Sequence, residues 1–482
     1  MRARWLIAVA VALAALAITA ASAHGQFQLG LEDYNYFNPS SAGAAFGVTR
    51  TADTHWIHVN AGWSLVAPAA TQEPRGFRPA DPADPRYNWT GLDKTVRSAA
   101  RWHLQVLLTL SGAPTWAEGP HRPANPNIGA GAWDPNPGKF AQFARAAALR
   151  YDGRFSDPLH PGAKLPRVKY WEIWNEENLP IDLAAPNLVG EYRALLNAAY
   201  KAIKGVSSRS VVLIGGLAPV SYLPPLSVSP LRFATDLMCL QRVNTTFRRV
   251  GSCPQQAQFD ILAHHPYSLA ATPTKHAYRY DDVLIGDMGK LSALLHAADR
   301  LHTVLPRIRH QLWVTEWGWY TNPPNRVVGD SEPTAARYVA YSMYEMWHNG
   351  VQTVIWFSAR DNPTASTLTN VLGGGLYRSS GRPKLTLRAF AFPVVASVSR
   401  ARGFVWGRAP VSRRVLVVVE RHTGHRWMRM AQIRTGSDGV FYVRFRATGN
   451  GLYRARVLGG AVSLPYDSTP IPPRRTHLFS SG

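Results

Sequence analysis

The chain has 482 residues, 46% of them hydrophobic and 17% charged, with 16 tryptophans and a formal net charge of +23 from 53 lysines and arginines against 30 acidic residues. That composition excludes an intrinsically disordered chain and suffices for one large domain of about 250 residues or more with a smaller one, or for about three ordinary domains. The basic residues are spread without a long run, which argues for an arginine-biased surface and against nucleic-acid binding, and is compatible with association with anionic wall polymers.

At the start, residues 1–23 carry Arg2 and Arg4, then an apolar run from Trp5 to Ile18, then Ala21-Ser22-Ala23. Charged, apolar and small-residue regions in that order are the layout of a cleavable signal peptide; a membrane anchor is the other reading of the same run. No later segment is apolar enough for long enough to span a bilayer, so the mature chain is expected to be secreted. Cys239 and Cys253 are close in sequence, and in an exported chain they are expected to form a disulfide. Without a neighbouring histidine cluster they argue against a zinc site.

From residue 24 onward short apolar stretches alternate with helical ones. Strands are expected at 27–31, 56–60, 104–110, 168–174, 211–216, 259–263, 311–315 and 353–357, and helices at 91–103, 138–151, 188–203, 282–302 and 333–348. Eight such repeats predict an α/β fold, a closed (β/α)8 TIM barrel over 24–392. The pattern then changes to alternating strands at 413–420, 426–434, 440–446 and 452–457, which predict a small antiparallel β-sandwich over 393–467. Trp406 and Trp427 are its candidates for an exposed aromatic strip. Residues 468–482, rich in proline, serine and arginine, are expected to form a disordered tail.

Two expected strand ends carry the chemistry. Tyr170-Trp171-Glu172-Ile173-Trp174-Asn175-Glu176-Glu177-Asn178 ends the fourth strand with an amide and a carboxylate beside indoles, and His310-Gln311-Leu312-Trp313-Val314-Thr315-Glu316-Trp317-Gly318-Trp319 ends the seventh with a second carboxylate. Indole faces stack on sugar rings, and an amide with a carboxylate supplies the donors and acceptors that hydroxyls need. Parallel barrel strands open at one face, so Glu176 and Glu316 can meet there although far apart in sequence. Glu172 reads as a buried partner for a basic side chain, and Glu177 as a loop or helix-start carboxylate. The sixth strand ends in Asp260-Ile261-Leu262-Ala263-His264-His265-Pro266-Tyr267 and the eighth in Val354-Ile355-Trp356-Phe357-Ser358. Trp63 and Trp116 follow the second and third strands.

These motifs, in this order, resemble the retaining glycoside hydrolases of clan A, with families 5 and 39 the nearest in look. The segment Gly375-Leu376-Tyr377-Arg378-Ser379-Ser380-Gly381-Arg382-Pro383-Lys384 resembles the turn after the eighth strand in that clan. The resemblance covers about 27–392 and implies a cofactor-independent O-glycosyl hydrolase. Glu176 would then be the acid/base and Glu316 the nucleophile, acting on a polysaccharide or oligosaccharide. It further implies that Asn175 contacts the sugar 2-hydroxyl, that Tyr267 holds the nucleophile while His265 lines the sugar subsite, and that Trp356 is a sugar platform, with Trp116 a further aromatic contact. One departure stands out: His58 in Trp56-Ile57-His58-Val59-Asn60 occupies the place where the clan commonly has an arginine on the nucleophile. A catalytically inactive carbohydrate-binding wall protein, or a transglycosylase, is the alternative to a hydrolase.

Overall fold

The computed structural model describes residues 26–33, 42–253, 255–268, 271–361, 374–411, 413–447 and 449–472. The expected signal peptide lies outside them. The chain forms two compact units, divided in the sequence between Ala391 and Phe392 and again between Pro470 and Ile471.

The first unit is a closed parallel barrel. Its strands are β1 (Gln28–Glu32), β2 (Trp56–Gly62), β3 (Gln105–Ser111), β4 (Tyr170–Ile173) and β5 (Val211–Ile214), then, after a hairpin of β6 (Leu240–Val243) and β7 (Thr246–Arg249), β8 (Ile261–His264), β9 (Gln311–Trp317) and β10 (Val351–Phe357). Around the barrel they run β1-β10-β9-β8-β5-β4-β3-β2. Strands covered on both faces read as near-continuous apolar runs, as β3 does: Val106 through Ser111 are all buried. The helices interlock around them. Asp93 of the helix Thr90–Arg101 receives Arg150 Nε at 2.9 Å and Tyr151 OH at 3.0 Å, joining it to the helix Pro137–Arg150, whose start is capped by Asn136 accepting from Lys139 N–H at 3.0 Å.

The barrel interior is layered, since alternate residues of each strand point inward. Trp56, Tyr170 and Trp313 form an aromatic layer, with ring centroids 4.5 to 5.5 Å apart. Above it lies a polar layer of Glu32, His58, Thr109 and Glu172, all buried. The hairpin β6–β7 interrupts the strand-helix alternation and was invisible to it, because its exposed Gln241, Arg242, Arg248 and Arg249 leave no apolar face. A disulfide between Cys239 and Cys253, Cα atoms 5.8 Å apart, closes the loop that carries it.

The second unit contains β11 (Val394–Ser399), β12 (Arg402–Arg408), β13 (Leu416–Thr423), β14 (Arg426–Arg434), β15 (Val440–Arg446), β16 (Leu452–Val457) and β17 (Tyr466–Asp467). They form two antiparallel sheets, β11-β12-β15 and β14-β13-β16-β17, arranged as a β-sandwich. Val417, Val419, Tyr453 and Ala455 of one sheet and Val405, Phe441 and Val443 of the other are buried, and the Phe445 and Tyr453 rings meet at 5.5 Å. Trp406 is fully buried and presents no binding face. Ser468, expected to open a disordered tail, is held: it gives its N–H to Gly451 O at 3.1 Å and receives Gly451 N–H on its hydroxyl at 3.0 Å. Residues 473–482 of that tail lie outside the described residues. Among the described residues no helix is long and apolar enough to cross a membrane.

Candidate active site

At the C-terminal ends of the strands, β4 runs into a tight, irregular segment. Trp174 and Glu176 both take left-handed backbone conformations, φ 73° and 40°, which side chains other than glycine adopt at a cost and which concentrate at functional sites. The segment is held from several sides. Trp174 Nε1 donates to Asp182 O at 2.7 Å, Glu176 N–H to Gly216 O at 3.2 Å, and Asn178 brackets Ala218 with bonds in both directions. Glu176 is thereby turned into the barrel mouth while Glu177 is driven inward.

Opposite, Glu316 is the penultimate residue of β9, its side chain 13% exposed against 21% for Glu176. His265, just beyond β8, stands between them. Its Nδ1 lies 3.0 Å from Glu176 Oε1 and 3.8 Å from Glu316 Oε2, and its Nε2 is 3.2 Å from Thr315 Oγ1. Two carboxylate oxygens on one nitrogen can be no more than about 7 Å apart, which admits the roughly 5–5.5 Å of a retaining pair. The imidazole fits there because β5 continues into Gly215 and Gly216; a Cβ on Gly216 would sit 1.8 Å from His265 Nε2. Tyr267 donates its hydroxyl to Glu316 Oε1 at 2.6 Å.

Two further groups complete the cluster. Asp182, half-buried on the loop after β4, accepts Asn175 Nδ2 on its Oδ1 at 3.1 Å. Tyr320, just past β9, is buried and lies within electrostatic reach of both glutamates. Neither emerged from the sequence. The Gly-Gly pair after the fifth strand was the readable signal of a crowded strand end, whereas Asp182 sits in an irregular loop without periodicity.

The electrostatics follow from crowding carboxyl groups in a poorly solvated mouth. Burial pushes Glu316 up, His265 pulls it back, Glu32 and Glu176 push again and Tyr267 opposes them, leaving a pKa of about 7. Asp182 is raised to about 8 by burial and then by the charges of Glu176 and Glu316. Burial alone would lower His265, but Glu316, Glu176 and Glu172 outweigh it and bring it to about 9. At neutral pH the mouth therefore holds a charged imidazole and carboxyl groups that share protons. Paired carboxyl groups poised in this way can give and take a proton and can attack an electrophilic carbon.

The structure brings together Asn175, Glu176, His265, Tyr267 and Glu316. Three other expected contacts lie elsewhere. Trp356 is fully buried, its Nε1 donating to Gly374 O at 2.8 Å and its ring meeting Trp317 and Phe390, so it is a core residue without a free face. Trp116 is wedged edge-on between Trp63 and Phe77, with its Nε1 on Pro68 O at 3.1 Å. His58 lies in the polar layer, its Nδ1 2.8 Å from Glu32 and 3.0 Å from Thr315 O, its Nε2 2.9 Å from Glu172. It therefore reaches the backbone of the residue before Glu316, and its charge partners are two other glutamates. Glu172 is the buried partner of a basic group, but Glu177 is completely buried, where a loop carboxylate was expected.

No protein-family model and no curated protein matches the sequence. Solved structures do match. One is a family 39 glycoside hydrolase from Bacteroides cellulosilyticus, with 16% identity and a TM-score of 0.52 over 87% of this chain and 79% of that one. The fold is that of the family 39 glycoside hydrolases. A family 39 β-xylosidase from Caulobacter crescentus, also 16% identical with a TM-score of 0.52, is matched over 87% of this chain and 96% of its own. The family 39 enzyme from Xanthomonas axonopodis pv. citri gives 15% and 0.50 over 87% and 92%. At this identity the shared feature is the architecture.

Proposed function

We propose that this protein is a secreted retaining glycoside hydrolase that cleaves β-glycosidic bonds in a polysaccharide or oligosaccharide. The observation that carries the reading is the meeting of Glu176 and Glu316 around His265 Nδ1 at the open end of a parallel barrel. Glu316 is the nucleophile: it is the deeper of the two, and the Tyr267 hydroxyl fixes one oxygen so that the other faces the anomeric carbon. Glu176 is the acid/base. It protonates the leaving oxygen in the first step and removes a proton from water in the second, while His265 keeps two negative charges from facing each other unscreened. Asn175 contacts the hydroxyl next to the anomeric carbon, where a hydrogen bond strengthens as charge develops. The inactive-protein reading rested on His58 and on the high net charge; of these, His58 does not touch the nucleophile.

A β-xylosidase among the structures of like fold makes aryl β-glycosides of neutral sugars the first substrates to try. The test is sugar release from a panel of aryl β-glycosides and polysaccharides by the purified protein, with Glu316→Gln alongside. Release that disappears in the variant supports the reading. A panel left intact by the wild type, or equal turnover by both proteins, refutes it.

A further inference from the structure

Both units are net basic, but the barrel mouth and the outer sheet of the second unit differ in the groups they gather. The barrel mouth gathers Glu176, Glu316 and Asp182, a setting that disfavours an anionic sugar at the reacting bond. The four-stranded sheet of the second unit is the reverse. Its register sets Arg429, Glu420 and Arg454 in one row across β14, β13 and β16, Gln432, Val418 and Arg456 in the next, Trp427 beside His422 on one side and Arg434 beside Leu416 on the other. Paired residues share a face, and Val417, Val419 and Tyr453, which alternate with these, point into the sandwich. Four arginines therefore stand on the outer face around Glu420, which is buried beneath them as Val418 is, with Asp467 of β17 on the same face beside Leu452.

That face is preorganised. Glu420 accepts Arg454 Nε at 2.7 Å and lies 3.5 Å from Arg456, which fixes both guanidinium groups while leaving other N–H donors unused. Arg454 also lies over the Trp427 ring at 4.2 Å. Arg429 and Arg434 are exposed and form no ion pair with a described residue. Neighbouring strands are about 4.8 Å apart, so Arg429 and Arg454 are separated by roughly 10 Å, and the rows are spaced about 7 Å along the strands. Donors laid out in this way suit a flat, extended chain of repeated anions better than a small ion.

We propose that the outer face of β14, β13 and β16 binds a carboxylate-bearing polysaccharide, with Arg429, Arg434, Arg454 and Arg456 pairing with its carboxylates. Guanidinium groups match carboxylates in a planar, two-pronged geometry. Nucleic acid is the poorer occupant, because single-stranded binding draws on open aromatic faces for base stacking and Arg454 covers that of Trp427. The inference stands independently of the hydrolase reading, since it concerns anchorage and makes no use of the glutamates at the barrel mouth.

The test is electrophoresis of the full chain through gels containing polygalacturonate, dextran or single-stranded DNA at low and at moderate salt. Arg429→Ala/Arg456→Ala is compared with Arg248→Ala/Arg249→Ala, which removes the same charge from the exposed hairpin β6–β7. Retardation by polygalacturonate and not by dextran is expected, weakened by salt and reduced about tenfold or more in the sheet variant while the hairpin variant stays within about twofold of wild type. Equal loss in the two variants would reduce the effect to net charge and overturn the proposal. So would absence of retardation, or tighter retention by DNA than by polygalacturonate. Melting curves of both variants confirm that each remains folded.

Discussion

Asn175 gives its side-chain N–H to Asp182 at 3.1 Å, and this bond decides which end of the amide faces the barrel mouth. With Nδ2 committed, the amide oxygen is left to accept from a substrate hydroxyl. Asp182→Ala frees the amide to rotate, and the expected cost is about 10- to 100-fold in kcat/KM, the part of the transition-state contact that depends on a fixed Asn175. Aryl glycosides lacking the 2-hydroxyl should lose little. Equal losses on 2-hydroxy and 2-deoxy substrates would show that Asp182 acts by another route.

The pH profile follows from the same crowding. Glu316 must be ionised to attack, and with its pKa raised to about 7 by burial it gains a proton as pH falls through that value. The acid limb of kcat/KM is therefore expected near pH 7, with activity dropping about tenfold per unit below it. At the alkaline end Asp182, raised to about 8, and His265, raised to about 9, lose their protons and leave the carboxylates unscreened, so activity should decline again. An acid limb near the ordinary carboxylate range would mean that the barrel mouth is better solvated than its geometry implies.

Substitution of the two glutamates should separate their roles. Glu316→Gln keeps the shape but removes the proposed nucleophile, and turnover should fall by at least about a thousandfold on every substrate. Glu176→Gln should spare the first step for substrates with very acidic leaving groups, which need little protonation, and slow it severely for poor ones. Measuring kcat/KM across aryl leaving groups of graded acidity gives the answer. A uniform loss in Glu176→Gln would exclude it as the acid.

All eight barrel strands were legible because a strand buried on both faces is an apolar run between loops, and runs such as Val106 to Leu110 or Leu312 to Thr315 are of strand length and too short for a helix. Hairpin β6–β7 and the strands Val394–Ser399 and Arg402–Arg408 were not: the first is polar on its visible face, and the other two are joined by Arg400-Ala401, a turn without glycine, asparagine or proline to mark it. At the site, short motifs marked the residues at strand ends but not how deep each side chain lies. Trp356 and His58 illustrate the difference. In a barrel every second residue points inward: His58 does, in a layer below the mouth, whereas Trp356 pairs with Leu31, between inward Gly30 and Glu32, and faces outward onto Phe390. Asp182 was illegible for another reason, since a loop residue declares its partner only when the loop is folded.

Glu177 is the neighbour that turned inward, fully enclosed beneath the site. Burial raises its pKa from 4.5 to about 8. A folded-state value above the unfolded one means that the native protein holds a proton that the unfolded chain releases, so this group subtracts from stability increasingly as pH rises from 4.5 towards 8. Glu177→Gln replaces the neutral acid with a neutral amide of similar shape. Its melting temperature relative to wild type should therefore improve steadily from pH 5 to pH 8. A constant offset across that range would mean that Glu177 is ionised in the fold.

His58 yields the largest expected effect on stability. Burial works against its charge, but Glu32 and Glu172 on either side raise its pKa well above 6.5, while burial working the other way is outweighed by His58 at Glu172, whose pKa is lowered from 4.5. Thr109 completes the link, giving its hydroxyl to Glu172 Oε2 at 2.6 Å and accepting from His58 Nε2 at 2.5 Å. The contribution of His58 is fully present below pH 6.5 and is lost as pH rises through its elevated folded value; that of Glu172 is present above pH 4.5 and is lost as pH falls through its depressed one. The triad is thus worth most between pH 4.5 and 6.5. His58→Gln leaves two buried carboxylates without their cation and should cost about 3–5 kcal/mol there, read as a large fall in the melting temperature of the barrel. His58→Arg, which the sequence alone recommends as a repair, keeps the charge but forces a longer side chain into a closed layer and should also destabilise, by about 1–3 kcal/mol. If arginine instead raised both stability and turnover, the polar layer would have room that its geometry denies, and His58 would belong with the nucleophile after all.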